Sequence, residues 1–168
     1  MTTTAATDCV DDVLAGWRRV HPNLDPEALG LVGRVLILAK SLEASVETAL
    51  QKHDMSLGQF DILATLRRNT EHRGLTPTQL LQSVVLSSGG MTSRLDKLEA
   101  AGLIEREADP TDRRGTIVVL TAKGKKKIDA ATVTRFEEAR QSAPDMPEAD
   151  RQQFEELLRT WSIQREEI

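Results

Sequence analysis

The chain holds one cysteine, Cys9, in 168 residues, which excludes an internal disulfide framework and any multi-cysteine metal site. Its three histidines, His21, His53 and His72, are scattered along the sequence, and Cys9 has no base near it in sequence. There is no glycine-rich phosphate loop, since Gly89-Gly90 is too little to form one. Asp109 and Asp112 form an acidic pair, but the adjoining Arg113 and Arg114 oppose a metal cation. Neither an enzyme nor a bound cofactor is expected. No apolar run approaches the roughly 20 residues of a membrane span, so no membrane partner is expected. The first residues, MTTTAATD, lack the basic segment and apolar stretch of a secretory signal, and the expected location is the cytoplasm. The chain also lacks net positive charge, with 22 Lys and Arg against 26 Asp and Glu, a balance of −4.

That balance is unevenly spread. Residues 86–127 carry nine Lys and Arg against six Asp and Glu, a local +3 that leaves −7 on the rest of the chain. A basic patch on an acidic body suits a protein that binds nucleic acid while limiting non-specific adhesion.

The same region is where the local patterns are strongest. Thr76-Pro77-Thr78-Gln79 combines a cap residue, proline at the first helical position and glutamine three residues after the cap. Leu80 and Leu81 are expected on the buried side of the short helix that follows. After the apolar turn Val84-Val85-Leu86, Ser87 offers a second cap, and Met91, Leu95 and Leu98 fall on one stripe of a helix over 87–101. Gly102 is a natural stop. Opposite the stripe lie Gly89, Ser93, Asp96 and Lys97, with Thr92 and Arg94 on opposite flanks. Small polar residues near the start of such a helix allow close approach to base edges and phosphates, which makes Ser87, Ser88, Gly89, Thr92, Ser93 and Lys97 candidate DNA contacts.

Two strands follow. Leu103-Ile104-Glu105-Arg106-Glu107 turns alternating after its first residues, and Thr116-Ile117-Val118-Val119-Leu120 is β-branched and apolar. The connection, Asp109-Pro110-Thr111-Asp112-Arg113-Arg114-Gly115, is too long for a two-residue turn and is expected to project. Arg113 and Arg114 suit a narrow minor groove, where negative potential is concentrated. Asp112 beside them is expected to fix their geometry.

In combination, LTPTQL, SSGGMTSRLDKLEAAGLIERE, DPTDRRG and LTAKG resemble the winged-helix core of the multiple-antibiotic-resistance regulator (MarR) family, and a looser likeness extends from about residue 29 to 161. The resemblance implies a mainly α fold with a small β-wing: a winged helix-turn-helix core flanked by N- and C-terminal dimerisation helices. It further implies a homodimeric transcription factor, usually a repressor released by a small molecule, that reads a pseudo-palindromic operator in double-stranded DNA. The alternative reading is a winged-helix module that binds protein without specific DNA binding.

The expected organisation is an N-terminal extension over 1–25 with a short helix, a dimerisation helix within 26–55, the winged core over 56–124, and C-terminal dimerisation helices over 125–168. Leu31, Val35, Leu38, Leu42, Val46 and Leu50 make the stripe of the first long helix. Ser56 caps the next. The last helix, expected over 147–162, turns Phe154, Leu157, Leu158 and Trp161 to one side. A small core cannot enclose such stripes from both chain ends, so a second copy is the simplest partner.

The N-terminal helix with its tryptophan resembles the urate-responsive branch of the family. That likeness implies a ligand set of Trp17, Asp61 and Arg94, with Arg106 linked to the aspartate, and a small-molecule effector such as urate or another planar acid. Trp17 has the face to stack on a planar ring and Arg94 the donors to pair an anionic oxygen. Redox control through Cys9 is not expected: no cation adjoins it to lower its pKa, and the chain has no tyrosine, which the hydroperoxide-sensing members use around their cysteine.

Overall fold

The computed structural model describes residues 6–69, 73–83, 90–110, 112 and 115–166. Seven helices and one hairpin occur among them: α1 (Cys9–Val20), α2 (Glu27–Gln51), α3 (Leu57–Arg68), α4 (Pro77–Ser83), α5 (Met91–Ala100), β1 (Ile104–Ala108), β2 (Thr116–Leu120), α6 (Ala122–Ser142) and α7 (Glu148–Glu166).

Local chemistry sets most boundaries. At the start of α3, the Ser56 hydroxyl accepts from the Gln59 amide while the Gln59 side chain accepts from the Ser56 amide, a reciprocal capping box. Thr76 and Gln79 repeat the arrangement before α4. Helix α5 ends as its sequence suggests: Gly102 takes φ +67°, its amide bonds to the Glu99 carbonyl, and the Leu103 amide reaches the Leu98 carbonyl. The strands pair antiparallel, with Ile104 opposite Leu120 and Ala108 opposite Thr116. Leu75 adds a short bridge to Val118 on the other edge of β2.

The core lies where α3, α4, α5 and the hairpin meet the C-terminal half of α2 and the first half of α6. Leu50, Leu63, Leu80, Leu95, Leu98, Val118 and Ile128 are essentially closed to solvent. The α2 stripe therefore divides. Val46 and Leu50 enter the core, Val35 is half-buried, and Leu31, Leu38 and Leu42 stay exposed. Leu81, expected beside Leu80 on the buried side of α4, is exposed instead: a seven-residue helix turns only one of two adjacent leucines inward.

Helix α1 docks on α2. Val10 and Leu14 are buried against it, and a Cβ at Gly30 would lie only 2.8 Å from a Leu14 methyl, so glycine permits the close approach. Arg34 of α2 then reaches both Asp8, the α1 cap, at 2.7 Å, and Asp11 at 2.6 Å. Hydrogen bonding to Arg34 holds the Asp8 carboxyl below its ordinary range. Helix α7 runs four residues beyond the expected end at 162, because nothing in Ile163-Gln164-Arg165-Glu166 breaks a helix. Of its described side chains only Trp161 is half-buried; the rest are exposed.

Candidate nucleic-acid interface

The candidate reading helix is ten residues long, α5, with Met91, Leu95 and Leu98 sealed into the core. Thr92, Ser93 and Lys97 are exposed, Ser93 and Lys97 opposite the buried stripe and Thr92 on its flank, as the sequence pattern requires. Its start differs from the expectation. Gly90 is the N-cap, in the left-handed region at φ +75°, so the helix begins at Met91 rather than after a Ser87 cap. Ser87, Ser88 and Gly89, expected to contact DNA, lie outside the described residues, as do the wing arginines Arg113 and Arg114.

The base of the wing is well defined. The Asp109 amide donates to the Gly115 carbonyl at 3.0 Å, and the Gly115 amide to the Asp112 carbonyl at 2.9 Å. These bonds join the two ends of the 109–115 connection next to the paired ends of β1 and β2. On the strand below, Glu107 is held at 2.8 Å by Arg73 from the stretch before α4.

Arg94 and Arg106, expected in one ligand set, lie on opposite sides of α5. Arg94 runs towards α3: a Cβ at Gly58 would fall 2.6 Å from its Nε and 2.8 Å from its Cζ, so the guanidinium crosses the first turn of α3 where there is no side chain to obstruct it. Arg106, on β1, meets the other flank. Its Nη2 donates to Asp96 at 2.7 Å and its Nη1 makes a very short bond to Glu99. The guanidinium pKa is raised, chiefly by the Asp96 hydrogen bond, so Arg106 stays charged. The expected pairing of Arg106 with Asp61 is thus replaced by two carboxylates of α5. The reason is proximity. β1 is the element that follows α5 through the Gly102 turn, and it packs along the flank where Asp96 and Glu99 project.

Asp61 is buried on α3, and both it and Arg94 are engaged in interactions. Trp17 is half exposed, and its ring stacks on His21, 5.6 Å away at 25°, at the end of α1. Helix α1 sits on α2, so Trp17 joins none of the other three expected ligand residues through a hydrogen bond or ring contact among the described residues. The residues that sequence reasoning missed are Asp96 and Glu99 as partners of Arg106, and Gly58 as the cradle of Arg94. The first pair had a signal, carboxylates three residues apart on one helix flank; the second depends on how α3 and α5 pack and had none.

Away from this face several large apolar side chains are exposed. On α2, Leu36 is 65 % exposed, and on α6 Phe136 is 74 % exposed. Val32, Val35 and Leu36 of α2 line an open cleft of about 630 Å³ with Leu158 and Trp161 of α7. Among the described residues no helix is long and apolar enough to cross a membrane, and no cluster of three His, Cys, Asp or Glu side chains is placed to hold a metal ion.

Comparison with known proteins agrees with this architecture. The MarR family model matches residues 53–115. The HTH-type transcriptional regulator PecS of Dickeya dadantii is 30 % identical over 149 residues, covering 89 % of this chain and 90 % of its own. HTH-type regulator MhqR of Bacillus subtilis is 35 % identical over 86 residues, 51 % of this chain and 57 % of its own. Among solved structures, Sco3205 of Streptomyces coelicolor, a MarR family regulator in complex with DNA, superposes with a TM-score of 0.73 at 21 % identity, over 83 % of this chain and 88 % of that one. The match along nearly the whole length of PecS, with the family model centred on α3 to the wing, makes this chain a member of the MarR family of winged helix-turn-helix transcriptional regulators, and not an enzyme.

Proposed function

We propose that this regulator is a homodimeric repressor that binds a pseudo-palindromic operator and leaves it when a small planar anion binds. The observation that carries the reading is the exposed polar side of α5, with Thr92, Ser93 and Lys97, beside a hairpin whose loop bears Arg113 and Arg114. A helix about 15 Å long, sealed on one face and polar on the other, fits the major groove, while paired arginines fit the minor groove. Ser87, Ser88 and Gly89 precede it in sequence and complete the proposed contact set. Two relatives of the same fold, the regulator MepR of S. aureus and Sco3205, were solved in complex with DNA.

The proposed domain roles follow the burial. Leu31, Leu36, Leu38 and Leu42 on α2, Phe136 on α6 and Leu157 on α7 leave a large apolar area uncovered by the chain itself. A second copy is the partner that covers the same patch on both molecules. For the effector, Trp17 supplies an exposed ring, and Arg94 a guanidinium on the reading helix. 6-Hydroxynicotinic acid regulates DNA binding by BpsR of Bordetella bronchiseptica, a relative of the same fold, which makes a planar acid a reasonable ligand class. Urate is the first to test. Trp17, Asp61 and Arg94 are the proposed ligand residues, and Arg106, held by two carboxylates, is moved out of that set.

The direct test measures operator affinity for the wild type and for Arg113→Ala/Arg114→Ala, then titrates urate and related planar acids into the complex. Loss of affinity on removing the wing arginines supports the DNA reading; unchanged affinity removes the wing from it. Failure of urate to release DNA, with release by an unrelated ligand, rejects the planar-anion assignment.

A further inference from the structure

We propose that Arg106 is a positioning residue for DNA binding: it crosses from the wing strand to balance Asp96 and Glu99, so that the wing-side flank of α5 can approach the phosphate backbone. The inference rests on the reading of α5 as the major-groove helix.

The geometry begins with the helix itself. At about 100° per residue, Asp96 lies next to Ser93 on the outer side of α5, and Glu99 lies between Asp96 and the buried stripe. Both carboxylates thus face the wing, and one of them borders the side offered to DNA. Arg106 sits on β1 opposite Val118, in the same strand whose far end opens into the wing loop. Its guanidinium takes one carboxylate with each terminal nitrogen. Its side chain is 29 % exposed, against 58 % for Asp96 and 38 % for Glu99. The cation is therefore the inner member and the two anions lie outward, towards the side where phosphates would come.

The charge count gives this arrangement its consequence. Along α5, Arg94 and Lys97 offset Asp96 and Glu99, so the helix has no net charge of its own. Arg94 is turned to the opposite flank, over α3. On the wing-side flank Arg106 is the cation that pairs with both Asp96 and Glu99. Without it, two carboxylates are left unbalanced beside a polyanion, where like charges in contact are strongly unfavourable. The same contact ties α5 to the strand that leads to the wing, so major- and minor-groove elements approach DNA as one unit.

The test uses the full-length protein and its selected operator duplex, with affinity measured across a salt series for four forms: wild type, R106Q, D96N/E99Q, and the triple variant D96N/E99Q/R106Q. R106Q is expected to bind roughly tenfold more weakly, with a salt dependence shallower by about one unit of slope. The triple variant, in which the carboxylates no longer need balancing, is expected to regain at least wild-type affinity. D96N/E99Q alone is expected to bind as tightly as the wild type or tighter. A merely structural role for Arg106 would leave the salt slope unchanged, and a direct phosphate contact would leave the triple variant as weak as R106Q; either result overturns the proposal. Circular dichroism melting checks that R106Q is folded at the assay temperature. If R106Q proves unfolded, the same comparison between wild type and D96N/E99Q decides, because weaker binding by that variant contradicts the charge argument. Unchanged binding by R106Q beside a wild type that binds overturns only this inference, whereas a wild type that selects no duplex removes the reading beneath it.

Discussion

The winged core and the terminal helices treat the same kind of residue in opposite ways. In the core, Leu63 of α3, Leu80 of α4 and Leu95 and Leu98 of α5 are closed off by one another and by the ends of α2 and α6, with Leu63 and Leu80 fully buried. On the N-terminal half of α2 and on α7, leucines in equally regular stripes remain exposed. One helix even contains both regimes, since α2 ends inside the core at Leu50 and begins outside it at Leu31. The contrast teaches that an apolar stripe states only that a face will be covered. What covers it is decided by the rest of the fold or by another molecule.

The largest effect expected from this contrast is on stability. Leu50→Ala or Leu95→Ala should destabilise the protein by about 2–5 kcal/mol, the usual result of emptying a closed core site. Leu36→Ala, on the same helix as Leu50, should cost far less in a dilute sample, and thermal melting compares them. Equal losses would erase the distinction between the two regions.

Assembly should respond in the reverse order. Phe136→Asp or Leu36→Asp is expected to shift the sedimenting species from dimer towards monomer while leaving the helical circular dichroism intact. A wild type that sediments as a monomer at working concentration would remove the second copy as the partner for these faces.

A smaller effect is expected at the junction between the regions and the DNA. Gly90 holds φ +75° at the start of α5, and Gly90→Ala should cost about 1–2 kcal/mol of backbone strain, read by melting, with weaker operator binding as α5 frays. A substitution without effect on either would mean that the cap conformation is not required.

The smallest is pH-dependent and confined to α1. Arg34 depresses the Asp8 pKa below its ordinary 3.8, so the carboxylate's contribution is present above that value and is lost as pH falls through the folded-state pKa. Trp17 fluorescence should therefore report loosening of α1 only below about pH 4, and Asp8→Asn should already show it at neutral pH. Identical titrations for both forms would show that the ion pair does not hold α1.

Much of this was legible in the sequence wherever the cause was local. The Ser56 and Thr76 caps and the Gly102 stop follow from residues within a few positions of one another, and each strand is marked by its own run of residues. The family was legible too, because its motifs are runs of such local signals. What escaped were choices between equivalent options. The sequence marks Ser87 as the cap of the reading helix, whereas the left-handed conformation at Gly90 places the start at Met91. Arg106 had acidic candidates on several elements, and the turn after α5 delivers it to Asp96 and Glu99 rather than to Asp61. The division of the α2 stripe between core and surface is likewise a property of packing and leaves no mark in the spacing.

The central claim is that α5 and the wing of two copies read DNA together. Selection of bound duplexes from a random library, followed by footprinting of the winner, tests it most directly. Two related half-sites in opposite orientation are predicted, with centres one helical turn or a multiple of it apart, about 10–10.5 base pairs per turn. Failure to enrich any sequence, or enrichment of a single unrepeated half-site, would contradict it.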